Sequence, residues 1–294
     1  MGTGPRLSFV VLSPPGDGRL AASLDLLKRQ GLPPGEQEIL VAAHGRAIGI
    51  DRAAALATAV AAARAPRLWV LDVADRPAVN TAARLLERMD QEGLDLLAFR
   101  LRVASPPRAE RLRFDLPAAF PPAPIMDGPA LLSRHDFQPE LACVVAATAL
   151  WREAPLVPPP GIDPVVDRAL MPQLALRAKR AAFIPTPLVR RRRDSRGPEL
   201  EDAATTATAL RDLVERLKLA GNPSANLALR LLRRAELIAI EAQRGLILSG
   251  ASRAEIKSAR RRLRAAGALP IRHLGRPEAT LAARFWEVVG RLFG

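Results

Sequence analysis

The stretch LWVLDVAD, residues 68–75, is an apolar run that ends in two carboxylates, Asp72 and Asp75. A short apolar run of this kind is typical of a buried β-strand. In α/β folds built on parallel strands, ligands bind in the crevice beyond the carboxyl ends of the strands. We therefore expect the two acids to lie at a ligand site, where paired carboxylates can hold a divalent cation and the cation a diphosphate.

The flanking sequence predicts an alternation of strands and helices. Two further apolar runs, LSFVVL at residues 7–12 and EILVA at residues 38–42, are each followed by Pro, Gly or a polar turn and indicate strands. Three helices are predicted around them. The first carries Leu20, Leu24 and Leu27 on one face, and the second covers residues 52–64 with Asp51 as N-cap. The third begins at Pro77 and carries Val79, Ala82, Leu86 and Met89 on one face. This order predicts parallel strands joined by right-handed crossovers.

Length and composition bound the class of protein. A chain of 294 residues is long for one domain, which favours a large α/β domain with an appended region. The sequence has one cysteine, Cys143, so no intramolecular disulfide can form, as is typical of a reducing compartment. No signal peptide is recognised, and the alanine-rich run 53–63 is shorter than the roughly 20 apolar residues that span a bilayer. A cytoplasmic location is expected.

The net charge of +14 is confined to the second part of the chain. Residues 1–175 hold 19 basic and 19 acidic side chains, whereas residues 176–294 hold 25 basic and 11 acidic ones. The second part indicates helices from about Leu200, with a capping box at Ser252 and Glu255 and a last helix from Pro277. Either this basic region binds an anionic surface or partner, or it reflects a general bias toward Ala, Arg, Leu and Pro, which the neutral first part argues against.

Several segments occur in an order that resembles a known family. They are SFVVLSPPG (8–16), SLDLLKRQ (23–30), EILVAAHG (38–45) and LWVLDVADRP (68–77), followed by residues 166–167, 179–185 and 187–195. This order is similar to that of family 2 glycosyltransferases of the glycosyltransferase-A fold, over about residues 6–197. The resemblance implies an α/β domain at 1–198 with a mostly parallel sheet flanked by helices, followed by a basic helical extension at 199–294.

The chain departs from the family pattern at three polar positions. Two Asp that usually end the second strand are replaced by Ala43 and His44, and an Ala-Arg-Asn stretch falls on the apolar residues 55–57. The usual Asp-x-Asp-Asp motif lacks its middle acid, because Ala74 stands there. Weakening of all three positions suggests altered ligand chemistry or lost catalysis, that is, a degenerate nucleotide and metal site.

The resemblance implies transfer of a sugar from a nucleotide diphosphate sugar to a cell-surface glycan or lipid-linked acceptor. Asp72 and Asp75 would hold Mn²⁺ or Mg²⁺, and Asp167 would take the proton of the acceptor hydroxyl. The residues expected to contact the nucleotide are Ser13, His44, Asp72 and Arg192. A second hypothesis is a catalytically degenerate binding or scaffold protein whose basic helices hold a partner or the inner face of a membrane. A third is a phosphate-backbone binder that uses the basic region.

Each candidate residue also has a purely structural interpretation. Asp72 and Asp75 could cap the helix expected from Pro77, and Asp167 could stabilise the first turn of its own helix. His44 has no second His or Cys at metal-ligand spacing. The remaining candidates are Arg190 to Arg193, which could be a solvated strand or loop, Cys143, which could be inert core, and Trp151, which could pack or line an acceptor pocket.

Several other chemistries are excluded by missing motifs. The sequence has no G-x-x-x-x-G-K-[ST] phosphate loop, no G-x-G-x-x-G after its first strand, no H-E-x-x-H and no G-x-S-x-G. Aromatic residues are only 4% and Tyr is absent, so sequence-specific nucleic-acid recognition is not expected. Oligomeric state is left open by the sequence.

Overall fold

The structure is a computed structural model of the chain. The structure describes residues 4–104, 116–134, 140–153, 166–192 and 250–265, and single positions between 208 and 247. Within these residues, no helix is long and apolar enough to cross a membrane.

In the part of the chain that the structure describes, seven strands form one mixed sheet. The strands are β1 (Leu7–Ser13), β2 (Gln37–Ala43), β3 (Arg67–Asp72), β4 (Asp75–Pro77), β5 (Leu96–Ala104), β6 (Val144–Ala147) and β7 (Ala181–Arg192). The described helices are α1 (Leu20–Lys28), α2 (Arg52–Ala62), α3 (Thr81–Glu92), α4 (Gly128–Arg134), α5 (Thr148–Arg152), α6 (Val166–Arg177) and α7 (Arg253–Ala265).

The strand order is β2-β1-β3-β6-β5-β7-β4, which makes β2 and β4 the two edge strands. β1 pairs in parallel with both β2 and β3, and β5 pairs in parallel with β7. The pairings β3–β6, β5–β6 and β4–β7 are antiparallel. The expected α/β sheet flanked by helices is confirmed, with three parallel and three antiparallel pairings.

The core lies on the central strands and is built around three aromatic rings. Phe9 of β1, Trp69 of β3 and Phe99 of β5 are fully buried. The Trp69 ring centroid lies 5.9 Å from that of Phe9 and 5.6 Å from that of Phe99, spacings typical of favourable aromatic pairs. All seven residues of β1 are buried, which explains why this strand is apolar at every position except Ser8 and Ser13.

The first three predicted strands and the helix with Asp51 as N-cap are confirmed. Strands predicted at 7–12, 38–42 and 68–72 are found at Leu7–Ser13, Gln37–Ala43 and Arg67–Asp72. The side chain of Asp51 accepts a hydrogen bond of 2.6 Å from the backbone N–H of Ala54 at the start of α2.

The predicted start of the third helix at Pro77 is wrong. Pro77 ends strand β4, and α3 begins at Thr81 after Asn80, whose φ of 62° is left-handed. Proline is accepted in β4 because this is an edge strand, where a missing N–H need not interrupt the ladder. Val79 therefore lies before the helix and is 46% exposed, not on its buried face.

Contacts divide the chain into two compact units, Met1–Pro160 with Leu170–Arg193, and Gly161–Ala169 with Asp194–Gly294. The sheet belongs to the first unit, and the predicted domain boundary at 198 stays a prediction. In the second unit, the capping box at Ser252 and Glu255 is confirmed, with a Glu255 N–H to Ser252 Oγ distance of 3.3 Å. The helix predicted from Pro277 lies outside the described residues.

Candidate functional site

The carboxyl ends of β1, β2 and β3 meet at one edge of the sheet and bring three predicted site residues together. Ser13 ends β1, His44 follows β2 and Asp72 ends β3. The backbone N–H of His44 donates to the Ser13 carbonyl at 3.2 Å, and the N–H of Val73 donates to the Leu12 carbonyl at 2.9 Å. This edge is where ligands bind in sheets of parallel strands.

Asp72 forms an ion pair with the first residue of α2. Arg52 Nη1 donates to Asp72 Oδ2 at 2.9 Å, and the side chains of Arg52 and Asp72 are 6% and 27% exposed. Asp72 Oδ1 accepts a 3.3 Å hydrogen bond from the backbone N–H of Ala74. Burial alone would raise the pKa of the Asp72 carboxyl, but the charges of Arg52 and Arg191 and these hydrogen bonds lower it. Asp72 is therefore an ionised carboxylate whose charge is balanced within the protein.

Asp75 lies on β4 and is bound by an arginine far away in the sequence. Arg191 of β7 donates through Nε to Asp75 Oδ1 at 2.6 Å and through Nη2 to Oδ2 at 2.9 Å, a bidentate arrangement. Arg191 Nη1 also donates to Glu140 Oε2 at 2.7 Å, and Asp75 Oδ2 accepts the Asp72 backbone N–H at 2.7 Å. Burial raises the pKa of the Asp75 carboxyl and Arg191 opposes that rise. Neither Asp72 nor Asp75 caps α3, so their interpretation as helix caps is wrong.

The two carboxylates do not fit a divalent cation in this arrangement. A hard divalent cation takes about six oxygen ligands, and in the described residues no group of three or more His, Cys, Asp or Glu side chains could hold a metal. Both Asp75 oxygens face Arg191, and Asp72 Oδ2 faces Arg52. A metal between them would meet two guanidinium charges that already balance the acids.

Further arginines lie at the same edge of the sheet. Arg76 is directly opposite Arg190 across β4 and β7, and Arg19 follows the loop after β1. Arg19 and Arg190 both act electrostatically on Arg76: burial and these like charges lower the pKa of its guanidinium, against Asp75 and Asp17. We call Arg19, Arg76 and Arg190 the outer arginine cluster.

The other predicted site residues are placed as follows. His44 is 8% exposed at the end of β2, so it is largely buried. Asp167 is the second residue of α6 and Arg192 is the last residue of β7, but the side chains of both lie outside the described residues. Cys143 and Trp151 are buried, as expected of packing residues.

Sequence reasoning missed the arginines that pair with the two acids. Arg191 was named only within the run Arg190 to Arg193, and Arg52 only as the first position of the helix predicted at 52–64. The signal available for Arg191 was the interruption of an apolar strand by a run of arginines, which is unusual where a strand is buried. Nothing in the sequence around Arg52 indicates that it is buried and paired, because an arginine at the first position of a helix is usually exposed.

Comparison with known structures defines the class: the chain has a glycosyltransferase fold. It is similar to S. aureus TarS 1–349 in complex with UDP-GlcNAc, at 12% identity and a TM-score of 0.53, covering 90% of this chain and 89% of that one. It is also similar to the mannosyltransferase PcManGT from Pyrobaculum calidifontis in complex with GDP-Man and Mn²⁺, at 15% identity and a TM-score of 0.52, covering 99% and 85%.

The chain spans 54% of the longer S. aureus TarS chain, with 12% identity and a TM-score of 0.51 over 90% of its own length. No protein-family model matches the sequence, and no curated protein matches it either. The likeness is therefore one of fold.

Proposed function

We propose that the protein transfers a sugar from a nucleotide diphosphate sugar to a hydroxyl of a cell-surface glycan or lipid-linked acceptor. One observation supports this most: in a glycosyltransferase fold, Ser13, His44 and Asp72 lie at the shared carboxyl edge of β1, β2 and β3. The structural neighbours are complexes with UDP-GlcNAc and with GDP-Man, which favours a nucleotide-sugar donor.

In this proposal, four of the candidate residues each have one chemical role. Ser13, His44 and Arg192 contact the nucleotide, and Asp167 removes the proton of the acceptor hydroxyl as that oxygen attacks the sugar. The bond from the sugar to the diphosphate breaks, and the leaving diphosphate needs positive charge to stabilise it. Since Asp72 and Asp75 do not fit a metal, no step is assigned to one; the structural neighbour PcManGT is a complex with Mn²⁺.

The location and the role of the basic region belong to the same proposal. A lipid-linked acceptor places the enzyme in the cytoplasm at the inner face of a membrane. The described part of the basic region supports this: α7 buries Ile256, Ala259 and Leu263, and its exposed side chains include Lys257, Arg261, Arg262 and Arg264. Replacing those four basic residues with Gln should reduce flotation with anionic liposomes, and unchanged flotation would reject this role.

A second candidate is a binding or scaffold protein that has lost catalysis. The specific observation in its favour is that Asp72 and Asp75, expected to hold a metal, are paired with Arg52 and Arg191. A protein that only binds would keep its fold and its basic surface without turning over a donor.

Ligand-induced stabilisation distinguishes the two. The full chain would be melted with a panel of nucleoside diphosphates and nucleotide sugars, each with Mg²⁺, Mn²⁺ or EDTA. A ligand at 100 times its Kd adds about 2.7 kcal/mol to the stability of the folded state, a readily measured shift in Tm. Stabilisation by one nucleotide together with sugar transfer or donor hydrolysis supports the enzyme, whereas silence across the panel supports the scaffold.

Asp167→Asn gives the sharper control for catalysis. This variant should bind the donor as the native protein does and turn it over at least about a hundredfold more slowly, because a general base contributes roughly that much. Unchanged turnover would remove Asp167 from the proposal while leaving nucleotide binding intact.

A further inference from the structure

The two edge strands of the sheet differ in how they are protected from pairing with another chain. β4 is three residues long, ends in Pro77 and carries the charged residues Asp75 and Arg76. Short length, proline and charge are the usual devices that prevent an edge strand from pairing. β2 has seven residues, QEILVAA, with an unbroken register against β1. Its one charged side chain, that of Glu38, is 8% exposed and paired with Arg64, so β2 lacks these devices.

Alternate residues of β2 direct their backbone groups away from β1. The carbonyl of Glu36 accepts the N–H of Arg6 at 2.7 Å, and the N–H of His44 donates to the Ser13 carbonyl at 3.2 Å. Even-numbered residues therefore face β1, because the backbone groups of successive residues in a strand point to opposite sides. The residues that face outward are Gln37, Ile39, Val41 and Ala43. Among the described strands, β1 is the only neighbour of β2.

The surface around β2 is uncharged and partly apolar. Five large apolar side chains are exposed in the described part of the chain, and three of them lie on β2 or between β2 and α2. They are Val41, Ile48 and Ile50, which are 46%, 40% and 43% exposed. Helix α2 packs on β1 and β2, and its exposed residues are four alanines and a threonine. An apolar patch beside an open strand edge is typical of a protein interaction site.

A second copy of β2 fits this edge in the antiparallel orientation. With a twofold axis at Leu40, Ile39 lies opposite Val41 of the partner subunit, and Gln37 lies opposite Ala43 of the partner subunit. This register pairs all four outward-facing residues, and each hydrogen-bonded pair exchanges two backbone hydrogen bonds. The exposed Val41 is then covered by a β-branched side chain, which is a favourable cross-strand pair.

The charges along β2 also favour an antiparallel copy. The acids Glu36 and Glu38 lie at the amino end, whereas the carboxyl end consists of Ala42 and Ala43. Antiparallel pairing places Glu38 opposite Ala42 of the partner subunit, so like charges do not meet across the strands. β2 also belongs to residues 1–175, which hold 19 basic and 19 acidic side chains. Two copies can therefore approach through this part of the chain without repulsion between net charges.

We propose that the protein forms a symmetric dimer in which the two sheets join through antiparallel β2 strands centred on Leu40. The apolar side chains at the edge are covered by the same surface of the second copy, as in other twofold interfaces. The dimer does not depend on the proposed function, because β2 pairs with or without a bound nucleotide.

The first experiment measures the mass of the full chain in solution by light scattering after gel filtration. We expect a mass of twice the 31.7 kDa of one chain. Val41→Lys should raise the dissociation constant of the dimer about tenfold or more, because a lysine on an edge strand opposes pairing. Melting curves of the variant establish that it is folded.

Val79→Lys is the matched control. Val79 is also 46% exposed, but it lies just before α3 and away from β2. The same change of size and charge at this position should leave the dissociation constant within about twofold.

A second experiment tests the register by oxidation of single-cysteine variants. In the proposed register, Leu40 lies opposite Leu40 of the partner subunit, with Cα atoms about 4.5 Å apart. Leu40→Cys should therefore form an intermolecular disulfide, because disulfides join Cα atoms about 4.4–6.8 Å apart. Val41→Cys is the control: its two copies would lie diagonally, with Cα atoms about 7–8 Å apart, and should cross-link much more slowly. The native Cys143 is buried.

Three results would overturn the proposal. The first is a monomer at every protein concentration, which would leave the edge of β2 to a different partner. The second is a dimer that Val41→Lys and Val79→Lys weaken equally, because the contact would then lie elsewhere. The third is a dimer in which Leu40→Cys cross-links no faster than Val41→Cys, because the strands would then not pair at Leu40.

Discussion

Strands β4 and β7 carry two neighbouring cross-strand pairs with opposite electrostatics. Asp75 and Arg191 form a buried ion pair in which the Asp75 side chain is fully buried and that of Arg191 is 22% exposed. Arg76 and Arg190, one position along, are both half-buried and carry the same charge. One pair joins opposite charges in an ion pair, whereas the other places two like charges opposite each other. We therefore expect the first pair to contribute more to the stability of the fold than the second.

The largest effect is expected from breaking the buried pair. Arg191→Ala leaves the Asp75 carboxylate buried without its bidentate partner, and it also removes the contact to Glu140. Loss of one partner of a buried ion pair costs about 3–5 kcal/mol of unfolding free energy. Urea denaturation would measure it.

Arg190→Ala is the matched control, since it removes the same side chain one position away. We expect its unfolding free energy to change by less than about 1 kcal/mol. The double variant Asp75→Leu with Arg191→Met should recover much of the loss, because apolar replacement of a buried ion pair is often neutral. Equal destabilisation by Arg190→Ala and Arg191→Ala would contradict the distinction between the two faces.

The next largest effect is expected at Arg52. Its side chain is 6% exposed and its partner Asp72 is 27% exposed, so this pair is less buried than Asp75–Arg191. Arg52→Gln should cost about 1.5–3 kcal/mol, the range for a hydrogen bond to a charged group. Arg64→Gln is a fitting comparison, because Arg64 pairs with Glu38 but is 75% exposed, and its loss should cost below about 1 kcal/mol. The two variants would be ranked by thermal unfolding, and a larger loss at Arg64 would be contrary to the expectation.

The elements at the amino-terminal end of the chain could be predicted because their signals are local. β1, β2 and β3 are short apolar runs with turn residues after them, and Asp51 is a cap beside the helix it caps. β4 was missed because a strand of three residues has no periodicity and because Pro77 is also a common first residue of a helix.

The sequence predicted where the candidate site lies, but not which side chains pair with its two acids. That Asp72 would end a parallel strand followed from the apolar run before it. The arginine partner of Asp75 could not be predicted from the local sequence, because Arg191 lies 116 residues away. Two carboxylates three positions apart look like metal ligands until the charges that fold against them are known, and those charges come from α2 and β7.

The ion pair between Asp17 and Arg19 predicts how the stability of the protein depends on pH. The pKa of Asp17 is lowered to about 2, so the unfolded state binds protons first as pH falls. The stability that Asp17 contributes is therefore complete above about pH 5 and is lost between about pH 4 and pH 2. Asp17→Asn should flatten the stability profile in that window, and Arg19→Gln should do the same by removing the partner.

Chemical denaturation at several pH values would measure these profiles against the native protein. We expect a smaller effect than at Arg52, because Arg19 is 42% exposed and solvent screens the pair. A native profile that Asp17→Asn leaves unchanged between pH 2 and pH 5 would show that this carboxyl is not held by Arg19.

The smallest effect is expected from reversing one charge of the outer pair. Arg190→Glu places a carboxylate directly opposite Arg76, and an opposite-charge pair across antiparallel strands contributes about 0.2–1 kcal/mol. We therefore expect this variant to be more stable than Arg190→Gln by that amount at low salt, with the difference falling as salt screens the pair. If Arg190→Glu were instead less stable than Arg190→Gln, repulsion between Arg76 and Arg190 would not be what distinguishes the two faces of β4 and β7.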